Sequence, residues 1–173
     1  SSSYRVQRLT AFLDPWADPY ASGFQLTQSL IAIGRGGWFG VGLGDSVQKL
    51  FYLPEAHNDF ILSVLGEELG LFGVLCVVML FLGFTFLGFK LALATKSKIN
   101  QQIVACLIFA ISIQAFLNMG VVLGLLPTKG LNLPFISYGG TSFICNIWVI
   151  GMIFSAISEK SQMFDQAPNS GAV

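Results

Sequence analysis

The sequence predicts an all-α membrane protein in which a large extracytoplasmic loop precedes three transmembrane helices. Hydrophobic residues make up 54% of the 173 residues and charged residues only 10%. With a mean hydropathy of +0.71, the chain has too little polar surface to solvate a globule. Three mainly apolar stretches are also long enough to cross a bilayer as helices, which takes roughly 20 residues.

The first 58 residues are predicted to form the large periplasmic loop. An apolar patch at residues 24–33 is followed by a glycine-rich stretch that ends at Gly44. This pattern favours helices that re-enter the membrane or lie along its surface. The chain opens at Ser1 without Met and without a signal-peptide pattern, so we expect further spans upstream in a longer parent protein.

The segment 59–158 is predicted to contain the three transmembrane helices, at about residues 60–89, 103–126 and 141–157. The third is short for a span. The segment 159–173 lacks apolar periodicity and contains Pro168, Asn169 and Gly171. It is predicted to be a disordered cytoplasmic tail.

Lysines close to the span ends predict the orientation. The loop between the first two spans and the segment after the third contain Lys90, Lys96, Lys98 and Lys160. The opposite side has only Lys49 and Lys129 near a span. Short cytoplasmic loops are enriched in basic residues, so residues 90–102 and the tail are placed in the cytoplasm.

Two classes of function find no support in the sequence. Nine basic and nine acidic residues cancel without a basic cluster, so nucleic-acid binding has no electrostatic basis. Cys76, Cys106 and Cys145 show no disulfide or zinc spacing, and we expect buried thiols.

The densest polar cluster, residues 53–59, stands directly before the first span. Asp59 would lie where apolar core meets water, an environment that can prepare a carboxylate as a general base. Alternatively, Asn58 or Asp59 is simply the N-cap of the helix that follows. The sequence leaves both interpretations open.

The first span contains two adjacent acids, Glu67 and Glu68, which are costly inside an apolar helix. A buried ion pair with a missing upstream span, or a path for protons or substrate, would explain them. Small residues recur along one line of this helix and would let another helix approach closely. They are Ser63, Gly66, Gly70 and Gly73.

Two later segments contain further polar residues. Gln114 and Asn118, four apart in the second span, predict hydrogen bonds between helices. The loop 126–142 combines two prolines and a glycine pair with hydroxyls leading into a helix, a shape suited to phosphate oxygens. Lys129 would add a positive charge there, or would extend to lipid headgroups instead.

Several long motifs in order resemble the SEDS proteins (shape, elongation, division and sporulation). They are DPWADPYASGFQLTQSLIAIGRGGWFGVGLG, SVQKLFYLPEAHNDFI, GEELG and LPTKGLNLPFISYGGTS. Within the family, SVQK, YLPEAH and LPTKG are similar to the division branch rather than the elongation branch. One departure is Asn58, where the family commonly has Thr.

The resemblance implies the last three helices of a ten-helix SEDS fold. It also implies a septal peptidoglycan glycosyltransferase in the bacterial inner membrane that polymerises lipid II onto undecaprenyl-pyrophosphoryl glycan. Its implied partners are a cognate class B penicillin-binding protein and other division proteins. A divalent cation, Mg or Mn, would serve as a cofactor by neutralising the charge of the pyrophosphate.

The resemblance also implies roles for individual residues. Asp59 matches the family's essential acid, the catalytic residue. The motif positions expected to bind substrate are Glu55, His57, Lys129, Ser137, Gly139 and Gly140. We expect this chain to be inactive without its upstream spans. A flippase or transporter for lipid-linked precursor and a scaffold of the division machinery are the alternative functions.

Overall fold

The structure is a computed structural model that describes residues 24–44, 59–127 and 130–165, with side chains as far as Ser158. All the regular secondary structure in these ranges is helical. The helices are α1 (Phe24–Gly36), α2 (Ile61–Ala94), α3 (Lys98–Val122) and α4 (Gly140–Asp165). The prediction of an all-α chain is confirmed.

Three of these helices are long and apolar enough to span a membrane: Ile61–Ala94 with 34 residues, Lys98–Val122 with 25 and Gly140–Ser158 with 19. The number of predicted spans is therefore confirmed. Their ends differ from the sequence estimate, because α2 continues to Ala94 and α3 already begins at Lys98. Lysines near these ends are tolerated since their long stems reach water from inside an apolar boundary.

The last helix corrects the prediction of a disordered tail from residue 159. α4 continues to Asp165, so residues 159–165 are helical. This stretch contains no glycine or proline, and Glu, Lys, Gln and Met are good helix formers. Residues 166–173 of the predicted tail lie outside the described residues.

The helices pack in a chain of neighbours: α1 on α2, α2 on α3, and α3 on α4. One apolar core joins α2 and α3 near the start of α2 and includes Leu62, Val64, Met119 and Val122. A second core near the other end joins α2, α3 and α4 through Ala92, Val104, Ile108 and Ile153. Among polar contacts, Thr85 Oγ1 and Ser112 Oγ lie 2.8 Å apart between α2 and α3.

The small-residue face of α2 receives α1, as the sequence predicted for a closely approaching helix. A Cβ on Gly66 would lie 3.1 Å from Ile33 Cγ1, and a Cβ on Gly36 would overlap the carbonyl oxygen of Gly66. The approaching helix comes from the loop of the same chain. α1 is also tied to the end of α3, because Ser29 Oγ donates a hydrogen bond to Val122 O at 2.9 Å.

α2 is interrupted at Gly70, where φ is 70° and ψ is −165°. The segment that follows α1 fills the interruption with four backbone hydrogen bonds. Val41 N and Gly42 N donate to the carbonyls of Glu67 and Glu68 at 2.9 and 3.2 Å. Leu71 N and Phe72 N donate to the carbonyls of Gly37 and Trp38 at 2.9 and 3.3 Å. Backbone groups released by the break are thus paired within the protein, as an apolar environment requires.

The three cysteines contradict the expectation of buried thiols, since Cys76, Cys106 and Cys145 are all exposed. Long apolar side chains of α2, including Phe72 and Phe86, are exposed as well. The physical reason is that burial of apolar groups follows from exclusion of water. An apolar helix in a membrane gains nothing by turning such groups inward.

Candidate functional site

Asp59 lies in the turn directly before α2 and is half-buried. The helix begins at Ile61, and its N-cap position belongs to Phe60, whose side chain makes no capping hydrogen bond. The alternative in which Asp59 is the N-cap is therefore wrong, and Asn58 lies outside the described residues. The position of Asp59 at the end of an apolar helix needs another explanation.

The carboxylate of Asp59 lies against the second loop. A Cβ built on Gly130 would be 3.1 Å from Asp59 Oδ2, so the absence of a side chain at Gly130 makes room for the carboxylate. These two residues are far apart in sequence and meet only through the packing of α2 on α3. The candidate site is the junction of this turn with the loop that follows α3.

Two amides of α3 hold this junction together. Asn118 Nδ2 donates hydrogen bonds to the carbonyl oxygen of Asp59 at 2.9 Å and to that of Leu131. One turn earlier, Gln114 Nε2 donates to the carbonyl oxygen of Asn132 at 3.0 Å. The sequence predicted hydrogen bonds between helices for this pair. The acceptors are instead backbone carbonyls of the turn and the loop.

The second loop is shaped by its own contacts. Leu133 N donates to Ser137 Oγ at 2.8 Å, and Ser137 N donates to Leu133 O at 3.0 Å. Leu133 and Pro134 are fully buried and anchor the loop to the apolar core. Ser137 therefore fixes the turn through its hydroxyl oxygen.

The loop ends at the start of α4. A Cβ on Gly139 would lie 2.6 Å from Asn132 Nδ2, whereas a Cβ on Gly140 would meet nothing within 4 Å. Gly139 thus allows a close approach inside the loop, and the first turn of α4 at Gly140 is open. An open helix start presents backbone N–H groups and a positive dipole end.

Several predicted site residues cannot be placed. Glu55, His57 and Lys129 lie outside the described residues. Of the remaining predicted residues, Ser137 is bonded to Leu133 and Gly139 lies against Asn132 in the same loop. Asn118 joins this loop, at Leu131, to Asp59.

Glu67 and Glu68 are not part of this junction. Glu67 is fully buried, and its Oε1 lies 3.6 Å from Nη1 of Arg35 in α1, whose side chain is half-exposed. Glu68 is 9% exposed, and its Oε1 has no hydrogen-bond partner among the described residues. The cation that pairs with Glu67 therefore comes from α1, the helix within the predicted large loop. Both acids lie just before the interruption at Gly70.

Among the described residues, no group of three or more His, Cys, Asp or Glu side chains could hold a metal ion. A single carboxylate at Asp59 is a poor site by itself for a divalent cation, which prefers several oxygen ligands. The predicted Mg or Mn stays a prediction, and no step of the chemistry below is routed through it.

The residue that sequence reasoning missed is Asn118 in its contact with Asp59. The signal was present, because Asn118 and Gln114 are amides one turn apart in the mainly apolar second half of the helix. The sequence could not show that their acceptors are the carbonyls of two loops. That pairing depends on how the ends of α2 and α3 are placed relative to each other.

Comparison with known proteins agrees with this architecture. Residues 1–162 match the FtsW/RodA/SpoVE family model, described as cell cycle protein. A solved chain in a peptidoglycan synthase complex that coordinates polymerization and crosslinking superimposes with a TM-score of 0.73 at 28% identity. That similarity covers 92% of this chain and 43% of the solved one.

Three similar proteins are each named probable peptidoglycan glycosyltransferase FtsW. The relative from Thioalkalivibrio sulfidiphilus is 57% identical over 88% of this chain and 39% of its own length. Those from Alkalilimnicola ehrlichii and Legionella pneumophila are 61% and 56% identical, over 83% and 88% of this chain. The matches cover 36% and 40% of those two proteins.

The chain thus spans about two fifths of the length of the relatives it matches. The family model covers nearly the whole chain, and the relatives share more than half of the aligned residues. The chain belongs to the FtsW/RodA/SpoVE family of cell cycle proteins.

Proposed function

We propose that the full-length protein carrying this chain is a peptidoglycan glycosyltransferase that polymerises lipid II into glycan strands during septal cell-wall synthesis. The observation that carries the proposal is the position of the Asp59 carboxylate. It lies directly before an apolar helix and against Gly130 of the loop that follows α3. The names of relatives 56% to 61% identical to this chain support it.

In this proposal Asp59 is the general base. Its carboxylate takes the proton of the sugar 4-hydroxyl of lipid II, and the hydroxyl oxygen forms a bond to the anomeric carbon of the growing glycan. The bond from that carbon to undecaprenyl pyrophosphate breaks, and the pyrophosphate leaves with the electron pair. A half-buried carboxylate at the end of an apolar helix suits a substrate with a sugar in water and a lipid in the membrane.

The remaining predicted residues are proposed to surround the substrate. The open first turn of α4 at Gly140 and the charge of Lys129 would favour the pyrophosphate. Ser137 and Gly139 would act by shaping the loop, as their contacts with Leu133 and Asn132 suggest. Glu55 and His57 are proposed to lie at the same substrate site.

We place the protein in the bacterial inner membrane at the division septum, with Asp59 on the periplasmic side. Lys96 between α2 and α3 and Lys98 at the start of α3 support this orientation, because short cytoplasmic loops are enriched in basic residues. A cognate class B penicillin-binding protein is the proposed partner, together with other division proteins. The similarity to a chain in a peptidoglycan synthase complex supports such a partner.

The two alternative functions are less well supported. A flippase would use Glu67 and Glu68 on a transport path, but Glu67 is held by Arg35. A pure scaffold would leave the contact between Asp59 and Gly130 without a role. The glycosyltransferase names of the relatives favour neither alternative.

The test is polymerisation of labelled lipid II by the full-length protein reconstituted with its penicillin-binding partner. Asp59→Asn and Asp59→Ala are compared with wild type at equal folded amounts, with Gly83→Ala as a control because a Cβ there meets nothing within 4 Å. We expect both Asp59 variants to lose at least about 100-fold in rate, since a general base contributes about 10²–10⁴-fold.

The control should polymerise at the wild-type rate. Normal polymerisation by both Asp59 variants would show that this carboxylate is not the base. Movement of lipid II across the membrane without any polymer from wild type would favour the flippase instead.

A further inference from the structure

Asn118 occupies an unusual position, because one side-chain nitrogen bonds two loops that are remote in sequence. Its Nδ2 donates to the carbonyl oxygen of Asp59, 59 residues away, and to that of Leu131, 13 residues away. The side chain is 1% exposed, so water does not compete for these bonds. Both loops are thereby fixed to one point on α3.

Among uncharged side chains, an amide nitrogen meets the requirement at this point. Both acceptors are carbonyl oxygens, and an NH₂ group supplies the two hydrogens that they need. A hydroxyl has one hydrogen, and a carboxylate has none. The Oδ1 of Asn118 is buried without a hydrogen-bond partner among the described residues, so the two donated bonds alone set the orientation of the amide.

The two bonded carbonyls flank the contact between Asp59 and Gly130. Leu131 directly follows Gly130, and the Cβ position of Gly130 is 3.1 Å from Asp59 Oδ2. Gln114 holds the next carbonyl, that of Asn132, at 3.0 Å. The loop is therefore fixed at two successive residues. Of these two amides, Asn118 is the one that also holds the residue that carries the carboxylate.

We infer that Asn118 is a positioning residue that sets the Asp59 carboxylate against the Gly130 loop, where the acceptor hydroxyl of the substrate must arrive. The inference rests on the proposed function, in which Asp59 is the base. Asn118 acts through the backbone of Asp59 and Leu131 and does not touch the reacting atoms. Its loss should let the turn before α2 and the loop after α3 move independently.

A cross-linking rate measures this positioning without any catalysis. In the full-length protein lacking all other cysteines, Asp59→Cys and Gly130→Cys place two thiols at the contact. The Cβ position of residue 130 lies 3.1 Å from Asp59 Oδ2, so thiols on the two residues would start close together. The rate of oxidation reports how readily the two Cβ atoms reach the separation of about 3.5–4.5 Å found in disulfides. Oxidation should cross-link this protein rapidly, and adding Asn118→Leu should slow cross-linking at least about tenfold.

The matched control is Ser112→Ala on the same helix. Ser112 is also buried and hydrogen-bonded, but to Thr85, away from the junction. It should leave the cross-linking rate unchanged. An unchanged rate in Asn118→Leu, or equal slowing in Ser112→Ala, would overturn the inference.

Kinetics supply the second measurement, in the protein that retains Asp59. Asn118→Leu should lower kcat for lipid II polymerisation by about 10- to 100-fold with KM within about twofold, because displacing a catalytic group by about 1 Å costs that much. Ser112→Ala should leave kcat unchanged. A rise in KM at constant kcat would show that Asn118 serves substrate binding instead, which contradicts positioning.

A second variant covers the case in which Asn118→Leu does not fold. Asn118→Gln keeps both N–H donors but carries them one methylene farther from α3. The cross-linking rate and kcat for lipid II polymerisation should therefore still fall severalfold. Wild-type values in this variant would overturn the inference.

The two proposals fail in different ways. If Asp59→Asn polymerises normally, the base assignment fails, whatever the cross-linking shows. If Asp59 is essential but Asn118→Leu changes neither rate, only the positioning role fails.

Discussion

Gly130 illustrates how a single missing side chain determines the candidate site. Its Cβ position lies 3.1 Å from Asp59 Oδ2, tighter than ordinary van der Waals contact. Together with the two bonds from Asn118, this contact fixes where the carboxylate lies. At the residue scale, the site depends on one glycine and one amide more than on any second charged group in the described part of the chain.

The Gly130→Ala variant tests this close approach. The added methyl group would push the Asp59 carboxylate away by a few tenths of an ångström. We expect kcat for lipid II polymerisation to fall about three- to tenfold, since catalytic rates are sensitive to displacements of this size. Lipid II polymerisation by the full-length protein provides the measurement.

Gly83→Ala is the control for Gly130→Ala, because its Cβ would meet nothing within 4 Å. The thermal unfolding temperature of both variants should remain close to that of wild type. An unchanged kcat in Gly130→Ala would mean that the contact with Asp59 has no catalytic importance.

The interruption of α2 matters at the scale of the element. Gly70 has a backbone conformation almost exclusive to glycine, and the segment at residues 37–42 completes the released hydrogen bonds. Beside it, the ion pair between Arg35 and Glu67 joins α1 to α2. The loop helix and the first span thus form one unit, with the turn of Asp59 at its end.

Gly70→Ala should weaken the packing of α1 and residues 37–42 against α2. A Cβ would lie 2.4 Å from Gly40 N and 2.6 Å from the carbonyl group of Trp38, and the backbone conformation adds about 1–3 kcal/mol of strain. We expect a loss of roughly 2 kcal/mol or more in the free energy of unfolding. Thermal unfolding in lipid nanodiscs measures this loss.

Limited proteolysis of residues 37–44 reports on the docked segment itself. Cleavage there should become faster in Gly70→Ala and should stay at the wild-type rate in Gly83→Ala, another glycine of the same helix. If Gly70→Ala unfolds and is cleaved like wild type, the docking of residues 37–42 into α2 is incorrect.

At the scale of the whole molecule, successive spans run in opposite directions, so the connections between them lie at two opposite ends of the helices. The turn of Asp59 and the loop at Gly130 share one end of the α2–α3 pair. At the other end, Lys96 lies between α2 and α3, and Lys98 is the first residue of α3. Asn100 Nδ2 donates to Ala156 O in α4 at 3.1 Å at this end. Lys96 and Lys98 therefore lie at the end of the α2–α3 pair opposite to the candidate site.

Cysteine labelling tests this arrangement in the membrane. Ser97→Cys and Leu125→Cys lie at opposite ends of α3 at exposed positions, in a protein without other cysteines. A membrane-impermeant maleimide added from the periplasm should label the cysteine at position 125 and not the one at position 97. Permeabilised cells control for access by labelling both positions. The reverse pattern would invert the orientation and place Asp59 in the cytoplasm.

The amino-acid sequence by itself determined the all-α class, the number of spans and the family. The length and the low charge of an apolar stretch are local properties. Long motifs such as residues 126–142 can also be recognised from the sequence alone, without knowing which residues are in contact. Asp59 also stood out locally, as an acid next to an apolar run. Local composition was less reliable at helix ends, where α3 begins earlier and α4 continues farther than predicted.

Only the tertiary structure decided how these parts meet. It gave Glu67 its partner in Arg35, replaced the capping interpretation of Asp59, and turned Asn118 from a contact between helices into a donor to two loops. Each of these depends on residues distant in sequence. The physical reason is that hydrogen bonds and ion pairs require distances of a few ångströms, which chain packing sets and which no local pattern encodes.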